Sequence, residues 1–274
     1  AVKLADRVSR TGSAEPARQG RPAGGGKLAP HLTALLEWVE AEPDNPEAAF
    51  HLHACAGEQV PERAPDDYVK RVFDSFANSF DAKLAALSYK APALVADAVV
   101  QHAGPAAKSL DVLDAGCGTG LCGPLLAPWA RTLVGVDLSE GMLRKAVGRG
   151  DYNRLVCGEL VAFLSEQTAA YDLIVSADTL CYFGALEGFA AASFAALRGT
   201  GLLVFTVEAH PADDAAPGFR LQGNGRYSHA QAYVETTMRA AGFALLDLAA
   251  IVPRSEAGRS VNGWLVSARA ERGR

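Results

Sequence analysis

The sequence predicts an α/β fold, a doubly wound and mostly parallel sheet with an antiparallel hairpin at its C-terminal end and helices added at its N-terminus. Three observations carry this. Strand-like and helix-like segments alternate with short turns from Leu110 to Glu208. A glycine cluster lies where the first strand hands over to a helix. Two strand-like segments, 244–254 and 260–270, then follow one another without a helix between them, which implies an antiparallel pair.

The elements follow in order. LDVLDAG is a strand ending in a turn, and Leu121 to Trp129 can form a helix. TLVGVDLS, RLVCGEL, YDLIVSAD and TGLLVFTVE are the next four strands, separated by helical segments at Glu140–Val147, Leu160–Gln167 and Ala185–Leu197. Upstream, Leu32, Leu35, Leu36 and Val39 recur at helical spacing up to Pro43, and Glu47 to Ala56 forms a second helix after a DNP turn. A third helix is predicted over 66–87 and a fourth over 91–102. Residues 1–28, rich in Gly, Pro, Ser and Arg without apolar periodicity, are predicted to be a disordered leader. The expected division is therefore a leader at 1–28, a helical hairpin at 29–65 and an α/β domain at 66–274.

Charge narrows the partners. Residues 1–30 carry six basic and two acidic side chains, a balance of +4, which leaves −9 on the rest of a chain whose total is −5. So acidic a body repels a phosphate backbone, and no nucleic-acid partner is expected. No apolar run reaches the roughly 18 residues of a membrane helix, so no membrane role is expected. Five cysteines, without CxxC spacing, suit reduced thiols in a cytoplasmic protein and no metal site.

Gly118, Gly120 and Gly123 satisfy GxGxxG, the dinucleotide fingerprint, but that match alone is weak. A dinucleotide presents pyrophosphate to this turn, and Asp114 at the strand end opposes it. The same carboxylate suits the ammonium and sulfonium side of S-adenosylmethionine, which carries no phosphate. Asp137, 21 residues after Gly116, ends the second strand, where an acid can accept ribose hydroxyls.

VLDAGCGTG, VGVDLSEGML and YDLIVSADTLCYF together resemble the successive motifs of the class I, Rossmann-like S-adenosylmethionine-dependent methyltransferases, over roughly residues 66–270. The hairpin followed by DDYVKRVFDSFANSFDAKL further resembles a bacterial branch with a tetratricopeptide-like appendage. The resemblance implies a seven-stranded sheet with an antiparallel last strand. It implies that Asp114, Gly116, Cys117, Gly118 and Gly120 line the methionine and ribose portions of the cofactor. Asp137 would hold the ribose, Leu138, Met142 and Leu160 would pack near the adenine, and Glu159 would stand where the family usually has an Asp that meets the adenine amino group. Ala177 and Asp178 would lie near the methionine end. Tyr68, on an aromatic helical stripe with Phe73 and Phe76, is the candidate lid residue.

Methyl transfer needs alignment and exclusion of water more than a dedicated catalytic group. The acceptor region is expected between the fifth strand and the hairpin. There His229 is the candidate base, with Arg226 and Tyr227 holding a polar acceptor. Tyr182 would wall the transfer site and Arg254 would close it. These residues favour a small polar acceptor, anionic or zwitterionic. The competing readings are a protein or peptide methyltransferase that docks its substrate on the N-terminal helices, a nicotinamide-dependent oxidoreductase using the literal GxGxxG, and a non-catalytic S-adenosylmethionine binder.

Overall fold

The computed structural model describes residues 30–56, 60–210 and 218–271; the expected leader at 1–28 lies outside them. The chain order is α1 (Pro30–Ala41), α2 (Pro46–Ala56), α3 (Asp66–Phe76), α4 (Phe80–Ala86) and α5 (Ala91–His102), then β1 (Leu110–Ala115). After it come α6 (Gly123–Leu126), β2 (Ala130–Asp137), α7 (Glu140–Arg149), β3 (Arg154–Cys157), α8 (Leu160–Ser165) and β4 (Tyr171–Ser176). A short 3₁₀ turn (Leu180–Tyr182), α9 (Glu187–Ala196), β5 (Leu197–Ala209), β6 (Phe219–Leu221), β7 (Tyr227–His229), α10 (Gln231–Ala240), β8 (Phe243–Glu256) and β9 (Arg259–Ala270) complete it.

β3, β2, β1, β4 and β5 lie side by side and parallel, and β9 joins β5 antiparallel with β8 at its far edge. Successive side chains on a strand point to opposite faces, and here both faces are covered. Leu113, Ile174, Leu203 and Phe205 enter one core with Phe163, Phe189, Val234 and Met238 of α8, α9 and α10. Val112, Leu173, Val175 and Val204 enter the other with Val95 and Val99 of α5 and Leu126 of α6. Burial on both sides is why these strands read as continuous apolar runs and not as alternating ones.

Strand order turns around at β1: the chain moves outward through β2 and β3, then returns to place β4 on the other side of β1. In open α/β sheets ligands bind at this switch, beyond the carboxyl ends of the strands. The loops after β1, β2, β3 and β4 converge there.

Two details depart from the sequence reading. The expected helix over 66–87 breaks at residues 77–79 into α3 and α4. Among the described residues the expected seven strands are nine, because β6 and β7 form a small antiparallel ribbon. Glu208 pairs with Gly263 of β9 and with Ser228 of β7, so β7 lies on the β4 side of β5, beyond the end of β4.

The hairpin of α1 and α2 packs Leu35, Trp38 and Ala48 together, and Asn45 starts α2 by accepting the Glu47 backbone N–H at 3.0 Å. A second cluster of Phe50, Ala64, Tyr68 and Tyr227 joins the hairpin to α3 and β7. Among the described residues no helix is long and apolar enough to cross a membrane.

Candidate active site

The loop after β1 is shaped by glycines that no other residue replaces easily. Gly116 has φ +78°, and a Cβ there would stand 2.2 Å from Thr179 Oγ1. Gly118 has φ +55°, and its missing Cβ would project into the cleft, with Phe80 Cε1 its nearest neighbour at 4.0 Å. The first glycine lets the β1 and β4 loops touch, and the second leaves bare backbone for a ligand to approach. The Gly116 and Cys117 N–H groups both donate to the Val136 carbonyl at the end of β2, at 2.8 and 3.0 Å.

Asp137 completes that join. Its Oδ2 accepts the Gly118 N–H at 2.9 Å and its Oδ1 the Ser139 N–H at 2.8 Å. Burial pushes its carboxyl up from the ordinary carboxylate range, against those backbone N–H donors. Each oxygen retains capacity for a further donor, which fits a vicinal diol. Beyond it, Leu138, Leu160 and the bare backbone of Gly158 line an apolar slot; a Cβ on Gly158 would meet nothing within 4 Å. Ala177, Asp178 and Thr179, after β4, line the opposite end.

A roof covers the cleft. Asp74 of α3 accepts the Ser139 hydroxyl at 2.6 Å and the Gly141 N–H at 2.9 Å, at the start of α7. Asp81 of α4 accepts the Thr119 hydroxyl at 2.6 Å and pairs with Arg149 at 2.5 Å. Next to these two attachments in sequence, Phe73 and Phe80 face the cleft and meet edge-on, with centroids 5.9 Å apart. The aromatic stripe therefore turns Phe73 to the cleft, but not Tyr68, the expected lid residue. A residue five places along a helix lies about 140° around it, so Tyr68 faces the hairpin, 4.6 Å from the Phe50 ring, while Phe73 faces the cleft.

Other sequence-selected residues stand behind the cleft and not in its wall. Asp114 is buried beneath the loop, with Oδ2 accepting the Tyr152 hydroxyl at 2.6 Å and Oδ1 without a partner among the described residues. Gly120 (φ +85°) turns the loop against Tyr152 and Arg149. Met142 is buried under α7, and its N–H is capped by Ser139 at 3.1 Å. Glu159 spends its carboxylate as the cap of α8, accepting Val161 and Ala162 N–H at 3.1 and 2.7 Å, while its neighbours Gly158 and Leu160 line the cleft.

Burial pushes the Asp114 carboxyl up to about 7, with Asp137 adding to the shift and the Tyr152 hydroxyl opposing it. A carboxyl raised by folding contributes fully below its unfolded value and loses that contribution as pH rises through its folded value. Asp114→Asn is therefore expected to gain stability relative to the parent between about pH 4 and pH 7, by up to ~4 kcal/mol at ~1.4 kcal/mol per unit. Urea denaturation at both ends of that window checks it; an offset equal at both ends would refute the assignment.

A second cavity adjoins the first and shares Phe73, Phe80, Tyr89, Asp178 and Tyr182 with it. Phe76, Leu84 and Leu87 add apolar wall, Arg226 and Arg254 line it, and Lys83 also lines it, with Nζ 3.7 Å above the Phe76 ring. Arg254, on β8, has its side chain 1% exposed and binds three carboxylates: Asp178 at 2.5 Å, Glu208, and Glu256 at 2.7 Å. Arg226, in the ribbon turn, pairs with Glu256, and its Nε lies 2.9 Å from Glu208 without hydrogen-bond geometry. Burial opposes the charge on both arginines, but the surrounding carboxylates hold them above the ordinary arginine range. Burial raises Asp178 and Glu208, while Arg226 and Arg254 outweigh burial at Glu256 and hold it low.

Asp178, Cys181 and Glu208 offer ligand atoms within 4.8 Å of one another. The cation between the two carboxylates is the Arg254 guanidinium.

Tyr227 and His229 do not reach this cavity. Tyr227 is fully buried and donates its hydroxyl to the Pro61 carbonyl at 2.8 Å. His229 is fully buried in β7, its Nε2 3.0 Å from the Gly184 carbonyl and its ring stacked on Tyr233 at 6.0 Å. Burial lowers it to about 4, so it is a neutral packing residue. The β6–β7 ribbon explains the misplacement: pairing with β5 turns inward a residue that an open loop would have exposed.

A base depressed by folding contributes stability above its unfolded value and loses it as pH falls toward its folded value. His229→Gln is expected to flatten the stability loss between about pH 6.5 and pH 4, worth ~3 kcal/mol. Thermal melts across that range measure it; an unchanged slope would refute it. In the parent this slope opposes that of Asp114.

Comparison with known proteins agrees with the geometry. The family model for the methyltransferase domain matches residues 87–248. Human methyltransferase-like protein 27 is 42% identical over 84 residues, 30% of this chain and 34% of that protein. The malonyl-[acyl-carrier protein] O-methyltransferase of Acetivibrio thermocellus is 33% identical over 104 residues, 37% of this chain and 36% of that one. The matches thus span about a third of these relatives' lengths. The crystal structure of Burkholderia thailandensis 1,6-didemethyltoxoflavin-N1-methyltransferase aligns with a TM-score of 0.58 at 21% identity, over 78% of this chain and 93% of that one. By its sheet order, its cleft and the family match over more than half its length, the chain belongs to the class I S-adenosylmethionine-dependent methyltransferases.

Proposed function

We propose that this protein transfers a methyl group from S-adenosylmethionine to a small-molecule acceptor held in the cavity between the α3–α4 roof and Arg254. The carrying observation is the adjacency of two cavities that share Asp178 and Tyr182: one suits the cofactor and the other has room for an acceptor. The cofactor supplies an electrophilic methyl on a sulfonium. Asp137 would hold the ribose hydroxyls, Leu138 and Leu160 the adenine, and Gly116, Cys117, Gly118 and Ala177 the remainder. Phe73, Phe80 and Tyr182 exclude water from the junction. Alignment of this kind is worth ~7–11 kcal/mol of a barrier.

The nicotinamide reading loses support at the loop. Residues 118–122 are turns, and α6 after them spans four residues, too short to present a helix N-terminus to a pyrophosphate. The anionic acceptor also loses support, because the two arginines face three carboxylates.

The division into a hairpin at 29–65 and a catalytic domain at 66–274, and the likeness of the hairpin to a tetratricopeptide unit, belong to this reading. Phe50 and His51 of the hairpin are buried against Tyr68, which favours a brace over a docking site for a protein substrate. Deleting residues 1–60 is expected to abolish folding; a folded product that still binds cofactor but loses methylation of a protein substrate would favour docking.

The direct test is incubation with methyl-tritiated S-adenosylmethionine and a cell extract divided by size. Label in the small-molecule fraction supports the proposal. Label confined to protein or nucleic acid would overturn it.

A further inference from the structure

Resting on the reading above, we infer that Asp178 forms the acceptor subsite for a protonated amine on a flat apolar body, and that it takes up the proton the amine must lose before it can attack. Asp178 lies where the two cavities meet, next to Tyr182 and Tyr89. Its Oδ1 is held by Arg254 at 2.5 Å, and its Oδ2 makes no hydrogen bond among the described residues. Its backbone adopts φ +58°, and its N–H is fixed by the Thr206 hydroxyl at 2.8 Å. An Asp tolerates this left-handed conformation better than most residues, but it is still an uncommon one that surrounding structure must impose. The imposed backbone and the arginine together aim the remaining oxygen.

Charge selects the partner. Asp178, Glu208 and Glu256 carry −3 and Arg226 and Arg254 carry +2, so this ion-paired cluster is formally −1, while Lys83, the other cation on the cavity wall, stands over the Phe76 ring and makes no ion pair with these carboxylates among the described residues. A buried charge without a partner is costly, and a bound ammonium balances it. An anion would add to the deficit. The walls set the body of the ligand: Phe73, Phe76, Phe80, Leu84 and Leu87 offer rings and methyls and little hydrogen bonding. In the proton step an ammonium N–H bond breaks, its electron pair stays on nitrogen as the nucleophilic lone pair, and an O–H bond forms at Asp178 Oδ2. Burial raises the Asp178 carboxyl against the pull of Arg254 and Arg226, which suits it to receive that proton.

The test uses the full chain saturated with S-adenosylhomocysteine and three probes of one shape: benzylamine, benzyl alcohol and toluene. Calorimetry is expected to show benzylamine binding at least about tenfold more tightly than the other two, a gap of ~1.4 kcal/mol. Asp178→Asn is expected to abolish the preference, with S-adenosylhomocysteine titrated into the same variant so that damage to the cofactor cleft is told apart from loss of the amine subsite. The wild-type comparison needs no variant, so a misfolded Asp178→Asn leaves it decisive. Equal binding of the three probes, binding of none, or a preference retained by Asp178→Asn would each overturn the inference. Failure of S-adenosylhomocysteine itself to bind would instead sink the cofactor assignment.

Discussion

Arg254→Met is expected to destabilise the fold by ~3–5 kcal/mol, the cost of leaving buried carboxylates without their cation. The side chain is 1% exposed and binds carboxylates from three segments: Asp178 after β4, Glu208 on β5 and Glu256 on β8. Methionine fills much of the volume, so the loss reads charge and not cavity. The deficit should shrink at low pH, because protonating Asp178 and Glu208 removes the unpaired charges, both being raised by burial. Adding Glu208→Gln to Arg254→Met should recover part of the loss at neutral pH. Urea denaturation of the single and double variants measures both effects. A single-variant loss below about 1 kcal/mol would show that water reaches these carboxylates and that the network is a surface one.

Asp137→Ala is expected to weaken S-adenosylmethionine binding by 10²- to 10⁴-fold, from the loss of two charge-assisted hydrogen bonds worth ~1.5–3 kcal/mol each. The substitution also frees the Gly118 and Ser139 N–H groups, so a smaller fall in stability accompanies it. Equilibrium dialysis with labelled cofactor separates the two, since a folded variant at low temperature reports affinity alone. Unchanged affinity would move the ribose away from β2.

How much of this was legible in the sequence depends on what each residue's role rests on. The β1 loop was readable because Gly116 and Gly118 satisfy local backbone demands, a left-handed φ and close approach. Asp137 was readable because its function follows from its place at a strand end. Tyr68 was misread because one helical stripe serves two neighbours, and its phase relative to Phe73 matters only once α3 is docked. His229 was misread because a short ribbon such as β6–β7 has almost no periodicity to show it. Glu159 and Asp114 were chosen by position, but Glu159 is consumed locally by the α8 N–H groups, and Asp114 is buried beneath the loop on the Tyr152 hydroxyl. The roof contacts of Asp74 and Asp81 were invisible because their partners stand 65 and 38 residues away. Arg226 and Arg254 were each legible as acceptor-site residues, but not the Asp178 and Glu208 carboxylates beside them, and that balance changes the acceptor expected.

The measurement that bears most directly on the central claim is calorimetric titration of the full chain with S-adenosylhomocysteine and, separately, with NADH. The geometry of Asp137, the bare Gly118 and Gly158 backbone and the four-residue α6 predicts one site for S-adenosylhomocysteine and no heat of binding with NADH. Binding of NADH with none of S-adenosylhomocysteine would contradict it, and the cleft would then belong to a dinucleotide.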